Sequence, residues 1–191
     1  KIQKKIEIKM SLSYYIYRKA DLLLVESPGF KNALVKKGFK SEKIIYLPNW
    51  SMVEKNKVED NNKLIENDLS RLDNYFNVIY AGNISYFQGC DLLVNVAKEL
   101  KNYKNIQIVL IGTGVAKKEI SKLKEDYKLA NLLLIDKKSP KIMHKFFEKA
   151  GCLFIQLKKH DAFSLTIPSK LQSYMSSGKP IIAAIEGTSA E

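Results

Sequence analysis

From residue 77 onward, short unbroken apolar runs alternate with stretches whose apolar residues recur every three or four positions. The runs at 77–81, 106–111, 132–135, 152–157 and 180–184 predict strands. Between them, three sets of positions predict helices: Leu92, Leu93, Val96, Ala97 and Leu100; Ile120, Leu123 and Tyr127; Ile142, Met143, Phe146, Phe147 and Ala150. A further helix is predicted over 169–177, with Pro168 near its start and Gly178 and Pro180 past its end. Short apolar strands alternating with helices predict parallel strands covered by helices on both faces. The expected fold class is therefore α/β, a Rossmann-like doubly wound sheet, which binds ligands at the carboxyl ends of its strands.

The first third of the chain has a different rhythm. Ile2, Ile6, Met10, Tyr14 and Tyr17 recur at helical spacing, with Lys4, Lys5, Lys9, Arg18 and Lys19 elsewhere around the wheel. This basic amphipathic helix is expected to cover a domain core; peripheral contact with a membrane is the second reading. A strand at 21–25, a helix at 28–37 closed by Gly38 and a strand at 43–47 follow. Residues 53–63 are rich in Lys, Glu, Asp and Asn and read as a linker. Ile65, Leu69 and Leu72 predict one short helix after it.

Composition narrows the function classes. Hydrophobic residues make up 46% of 191, enough for a packed core, and no apolar run approaches the length of a membrane span. No secretory leader is recognisable, so the chain is expected to be cytoplasmic. Cys90 and Cys152 lie far apart, and with only His144 and His160 beside them no zinc spacing exists. The net charge of +12 suits a phosphate-bearing substrate or an anionic membrane surface. It also follows simply from heavy lysine usage. Nucleic acid is excluded as a partner, because no binding motif occurs and the lysines are dispersed.

Three strand-to-helix junctions carry candidate chemistry. In Tyr80-Ala-Gly-Asn-Ile-Ser-Tyr-Phe-Gln-Gly89, Gly82 permits close backbone approach to a ligand and Gly89 opens a helix whose N-terminus favours anions. In Ile111-Gly-Thr-Gly114, Gly112 and Gly114 suit a phosphate turn or an empty tight turn equally. In the third, Ser169 and Lys170 occupy the first turn of a helix, where free N–H groups and a lysine can hold a diphosphate. Ser169 equally suits an N-cap, and Lys170 a surface charge. All three junctions are expected on one edge of the sheet. The carboxylates Asp91, Asp136 and Asp161 could suggest a hydrolase, but Asp91 at a helix start reads better as a dipole partner.

The segments Gly82-Asn-Ile, Gln88-Gly89, Ile111-Gly-Thr-Gly114 and Ile167-Pro-Ser-Lys…Tyr-Met-Ser-Ser-Gly-Lys-Pro-Ile resemble glycosyltransferase family 4. The branch they resemble most includes colanic-acid and N-acetylfucosamine-type transferases of bacterial surface polysaccharides. The upstream run Arg18-Lys-Ala-Asp-Leu…Glu-Ser…Lys-Ile-Ile-Tyr-Leu-Pro-Asn-Trp50 is similar to that branch as well. The resemblance implies a GT-B enzyme with its active site between two Rossmann-like domains. Residues 1–52 would end the acceptor-side domain, 53–74 form the linker and short helix, and 75–191 form a truncated nucleotide-sugar-binding domain. It also implies a fragment, cut short at both ends and inactive alone.

The implied function is that of a retaining glycosyltransferase using a nucleoside-diphosphate sugar, expected to be UDP-linked. The acceptor would be a surface polysaccharide or a lipid-linked sugar, reached at the inner face of the membrane. By resemblance, the loop from Gly82 through Gln88 approaches the donor diphosphate. Many relatives carry arginine and lysine where this chain has Asn83 and Gln88. Lys170 is left as the group to neutralise the leaving diphosphate, with no cofactor or metal required. A family glutamate that holds the ribose falls at Ser173, which makes Gln172 beside it the candidate for that role. The segment from Ile135 to Lys138 would lie against the base. Two alternatives stand beside this reading: a nucleotide-sugar epimerase of the same architecture and a non-catalytic interaction module.

Overall fold

The computed structural model describes residues 12–50, 63–159 and 161–190. It contains two parallel sheets. The smaller pairs β1 (Leu23–Val25) with β2 (Ile44–Tyr46). A helix at 12–19 (α1) precedes β1, and α2 (Pro28–Lys36) joins the two strands. Tyr14 stacks on Phe39 at 5.9 Å and Tyr17 meets the same ring edge-on at 6.0 Å, so these two α1 positions are packed. Ile2, Ile6 and Met10, the rest of the expected stripe, lie outside the described residues, as do 53–62 of the expected linker. Ser27 caps α2, accepting from Phe30 N–H at 3.1 Å, and its hydroxyl donates to the Leu165 carbonyl of the larger unit.

Beyond α3 (Lys63–Ser70), the larger sheet has five parallel strands. These are β3 (Phe76–Ala81), β4 (Ile106–Ile111), β5 (Leu132–Ile135), β6 (Ala150–Gln156) and β7 (Ile181–Ala184), in spatial order β5-β4-β3-β6-β7. The chain winds outward from β3 to β5, then returns to the other side of β3 and continues to β7. The reversal puts a topological switch point between β3 and β6, where ligand clefts open in such sheets.

Strands β3 to β6 read as nearly continuous apolar runs because both of their faces are covered, whereas the edge strand β7 is largely exposed. Val78, Tyr80, Ile108, Leu110, Cys152 and Phe154 pack toward α4 (Cys90–Glu99) and α5 (Lys117–Asp126). Their alternate neighbours Ile79, Val109, Ile111, Leu153 and Ile155 pack toward α3, α6 (Met143–Glu148) and α8 (Ser169–Ser176). The five expected strands and their intervening helices are all present, within two residues at each strand end. The sequence reading had no counterpart for α7 (Asp161–Ser164), a single turn without enough length to show a period.

One buried polar residue ties the sheet to its flanks. Asn77, fully buried in β3, donates from Nδ2 to the Leu72 carbonyl at 2.8 Å, after α3, and to the Lys149 carbonyl at 2.9 Å, before β6. Asn77→Ala would leave both carbonyls without a donor in the interior. It is expected to cost about 2 to 3 kcal/mol, measured by urea unfolding, with the unfolding slope unchanged.

Candidate functional site

A cleft of about 700 Å³ opens at the carboxyl ends of β3, β4 and β5 beside the start of α8. Its floor is built by two turns locked together. Gly82 N–H donates to the Ile111 carbonyl at 2.9 Å, and Ile84 N–H to the Thr113 carbonyl at 2.8 Å. A Cβ on Gly112 would sit 1.9 Å from the Gly82 carbonyl oxygen, and one on Gly114 would sit 2.1 Å from that of Ile84. Both glycines also have φ near 155°, where side chains are strained. The Gly-x-Gly of the second junction therefore lets one turn pack on the other.

The wall opposite is α8. Lys170, Ser173 and Tyr174, spaced three and four apart, share the face that lines the cleft. Tyr174 is buried, its ring edge-on to Phe147 at 5.5 Å. Its hydroxyl accepts from Ala81 N–H at 2.8 Å and donates to the Ala81 carbonyl at 3.3 Å. Burial pushes this phenol well above its ordinary range, so it stays neutral.

Lys170 leaves α8 on one side of the sheet and crosses the end of β3 to reach Tyr80, which packs in the opposite layer. Its Nζ donates to the Tyr80 hydroxyl at 2.8 Å and to Gln88 Oε1 at 2.6 Å, and lies 4.2 Å from the centre of the Tyr80 ring. The Tyr80 hydroxyl in turn donates to the Asn83 carbonyl at 2.7 Å. Both partners of the ammonium are neutral oxygens, and no carboxylate pairs with it among the described residues. Desolvation by burial pulls its pKa from 10.5 down to about 8.

The other lysines in and beside the cleft are held differently. Lys138 donates to Asp68 at 2.5 Å in a largely buried pair, which fastens the turn after β5 to α3. Lys117 reaches the Gly112 carbonyl at 3.2 Å and Asp136 at 2.5 Å, and this hydrogen bond and charge hold the Asp136 carboxyl below its ordinary range. Lys137, exposed on the rim, forms no ion pair among the described residues.

Of the residues singled out from sequence, Gly82, Asn83, Gln88, Gly112, Lys138, Ser169, Lys170 and Ser173 all line this cleft. Gly89 lies behind it, in the left-handed conformation that turns the chain into α4. Gly114 is packed under Ile84, and Ile135 is buried in the core. Gln172 faces away: in the amide orientation that satisfies its surroundings, its nitrogen donates to the Pro168 and Ser169 carbonyls at 3.0 and 2.9 Å. Pro168, not Ser169, stands at the N-cap of α8. Sequence reading missed Thr113, Pro140, Met143, Phe147 and Tyr174 as cleft residues, and Tyr80, which lies behind the cleft and holds Lys170, while Lys137 falls within the segment expected against the base. For Tyr174 a signal existed, since it falls four residues after Lys170 on the same helical face. Tyr80 had none, because an aromatic ending an apolar strand reads as core. Trp50, quoted only within the resemblance, lines the cleft from the smaller unit's side and is 69% exposed.

Comparison with known proteins identifies the larger unit. The family model described as glycosyl transferases group 1 matches residues 61–191. An Escherichia coli (strain K12) protein named as a colanic acid biosynthesis glycosyl transferase, WcaI, is 24% identical over 162 residues, covering 84% of this chain and 39% of that protein. The alpha-galactosylglucosyldiacylglycerol synthase of Streptococcus pneumoniae (strain ATCC BAA-255 / R6) is 27% identical over 165 residues, covering 73% of this chain and 44% of the synthase. The chain thus spans less than half the length of either relative. Among solved structures, Anabaena Alr3699/HepE in complex with UDP-glucose superposes with a TM-score of 0.69 at 15% identity, over 90% of this chain and 46% of that one.

The desolvated lysine gives the ligand-free chain a pH signature. Between about pH 8 and 10.5 the unfolded chain holds a proton on Lys170 that the folded chain has lost. Below that window both states are charged and the burial penalty is present; above it both are neutral and the penalty is gone. Relative to Lys170→Met, unfolding free energy is therefore expected to rise with pH across the window, by at most about 1.4 kcal/mol per pH unit. Parallel urea titrations of the two proteins measure it.

Proposed function

This chain belongs to the group 1 glycosyl transferases, and we propose that it forms the donor-binding side of a retaining enzyme whose donor is a UDP-sugar. The observation that carries the reading is Lys170, a mostly buried ammonium at the cleft with two neutral partners and no counter-ion among the described residues. Such a group calls for an anion. It stands at the first turn of an eight-residue helix, just before Leu171 N–H bonds the Pro168 carbonyl, and its ammonium lies over the floor made by the Gly82 and Gly112 turns. A diphosphate placed there would meet a positive charge and a helix N-terminus together.

In this reading the sugar–phosphate bond breaks as the acceptor attacks from the face that the diphosphate leaves. Lys170 stabilises the negative charge that develops on the departing nucleotide, fixed in advance by its hydrogen bonds. Ser173 leaves room where a longer side chain would reach toward a ribose. The domain division follows the same proposal: residues 1–52 belong to the acceptor side and 75–191 to the donor side. The two curated relatives, named for colanic acid and for a galactosylglucosyldiacylglycerol, favour a surface polysaccharide or a lipid-linked acceptor. Such acceptors are met at the inner membrane face. No described helix is long and apolar enough to cross a membrane.

Thermal unfolding with UDP, ADP, GDP and UMP in equal excess tests the donor assignment. At a hundred times its dissociation constant a ligand adds about 2.7 kcal/mol of stability. UDP is expected to shift the midpoint more than UMP does, and Lys170→Ala to remove the difference. Affinity for UDP is also expected to weaken above about pH 8, as Lys170 loses its proton in the free protein. Equal shifts with UMP and UDP, or none with any nucleotide, would refute the diphosphate site.

A further inference from the structure

Lys170 arises on α8, yet its ammonium ends on a residue of the β3–α4 loop. Gln88 Oε1 lies 2.6 Å from Nζ, and the Tyr80 hydroxyl lies 2.8 Å from it. The same hydroxyl donates to the Asn83 carbonyl at 2.7 Å, so one oxygen atom joins the lysine to the turn that floors the cleft. A Cβ on Gly82 would come within 3.1 Å of Nζ. The ammonium therefore sits directly over the turn, and its third N–H has no protein partner among the described residues.

We propose that Tyr80 and Gln88 are positioning residues, whose neutral oxygens fix the Lys170 ammonium over the Gly82–Asn83 turn and leave its charge uncompensated until an anionic ligand arrives. Gln88 then acts on the ligand through Lys170 rather than by touching it. A carboxylate in place of either oxygen would hold the lysine equally well, but would supply the counter-charge that the ligand should bring. A bare cavity wall would leave a flexible four-carbon stem to be ordered at each binding event. The neutral cage avoids both. This assignment rests on the reading of the cleft as a diphosphate site, and its test separates the two.

The test follows the Nζ resonance of Lys170 by NMR in lysine-labelled chain, assigned by its loss in Lys170→Arg, alongside UDP affinity at pH 7. Tyr80→Phe keeps the ring and removes the hydroxyl. The charged form loses an acceptor, so the titration midpoint of Lys170 is expected to fall and UDP to bind about tenfold more weakly. Gln88→Glu sets a carboxylate beside the ammonium. The midpoint is expected to rise, yet UDP again to bind more weakly. Opposite movements of the midpoint with the same loss of affinity are not what general loosening of the fold produces. Gln88→Glu lies at the partly exposed rim and keeps the test available should Tyr80→Phe fail to fold. An unchanged midpoint and affinity in Tyr80→Phe, or tighter UDP binding in Gln88→Glu, would overturn the proposal. If the midpoints move as stated while neither UDP nor inorganic pyrophosphate binds the unaltered chain, the cage is upheld and the nucleotide-sugar reading fails.

Discussion

The geometry of the cleft depends on one hydroxyl. β4 pairs with β3 along all six residues, but β6 leaves it after Ile79. Gly82 N–H turns toward β4, so Ala81 N–H faces the side where strand pairing has ended. Left alone, the peptide groups of Ala81 would be unpaired at a partly buried site, at a cost of one or more kcal/mol each. The Tyr174 hydroxyl takes the place of the missing strand, accepting from the N–H and donating to the carbonyl. That double contact fixes both the height and the rotation of α8 against the sheet. Lys170, four residues and about 6 Å nearer the helix start, is thereby delivered across the end of β3.

The cations in and beside the cleft divide by the company they keep. Lys117 and Lys138 each have a carboxylate at 2.5 Å and serve to brace the turns after β4 and β5. Lys170 has none. The overall charge of +12 is thus a poor guide to the site. What distinguishes one lysine among so many is desolvation without a counter-charge, a property of packing and not of composition.

The same distinction explains what could be read in advance. Strands β3 to β6 were legible because their residues bury on both faces and leave unbroken apolar runs, the exposed edge strand β7 by its apolar run alone, and the helices because theirs bury on one. The carboxyl-end location followed from the alternation itself. Within the site, Gly82 and Lys170 were legible from their places at junctions. Gly112 and Gly114 were legible as special backbone positions, but not what they approach: the neighbour is a second turn of this chain, brought there by β3–β4 pairing thirty residues away in sequence. Gln172 and Ser173 show the limit most sharply. They are adjacent in sequence, and the 100° between successive helical positions sends only Ser173 into the cleft. Tyr80 was hidden for a related reason, since its ring fills the core and only its last atom is polar.

The contact between the two glycine turns also governs how such a molecule can vary. With Gly112 and Gly114 pressed against the carbonyls of Gly82 and Ile84, neither turn can gain a side chain or shift its path unless the other yields. The pair behaves as a single hereditary unit, in which substitutions are admissible only in concert. The rim of the cleft, from Trp50 to Lys137, is under no such mutual restraint. Variation would therefore proceed at the rim, while the floor stays as it is.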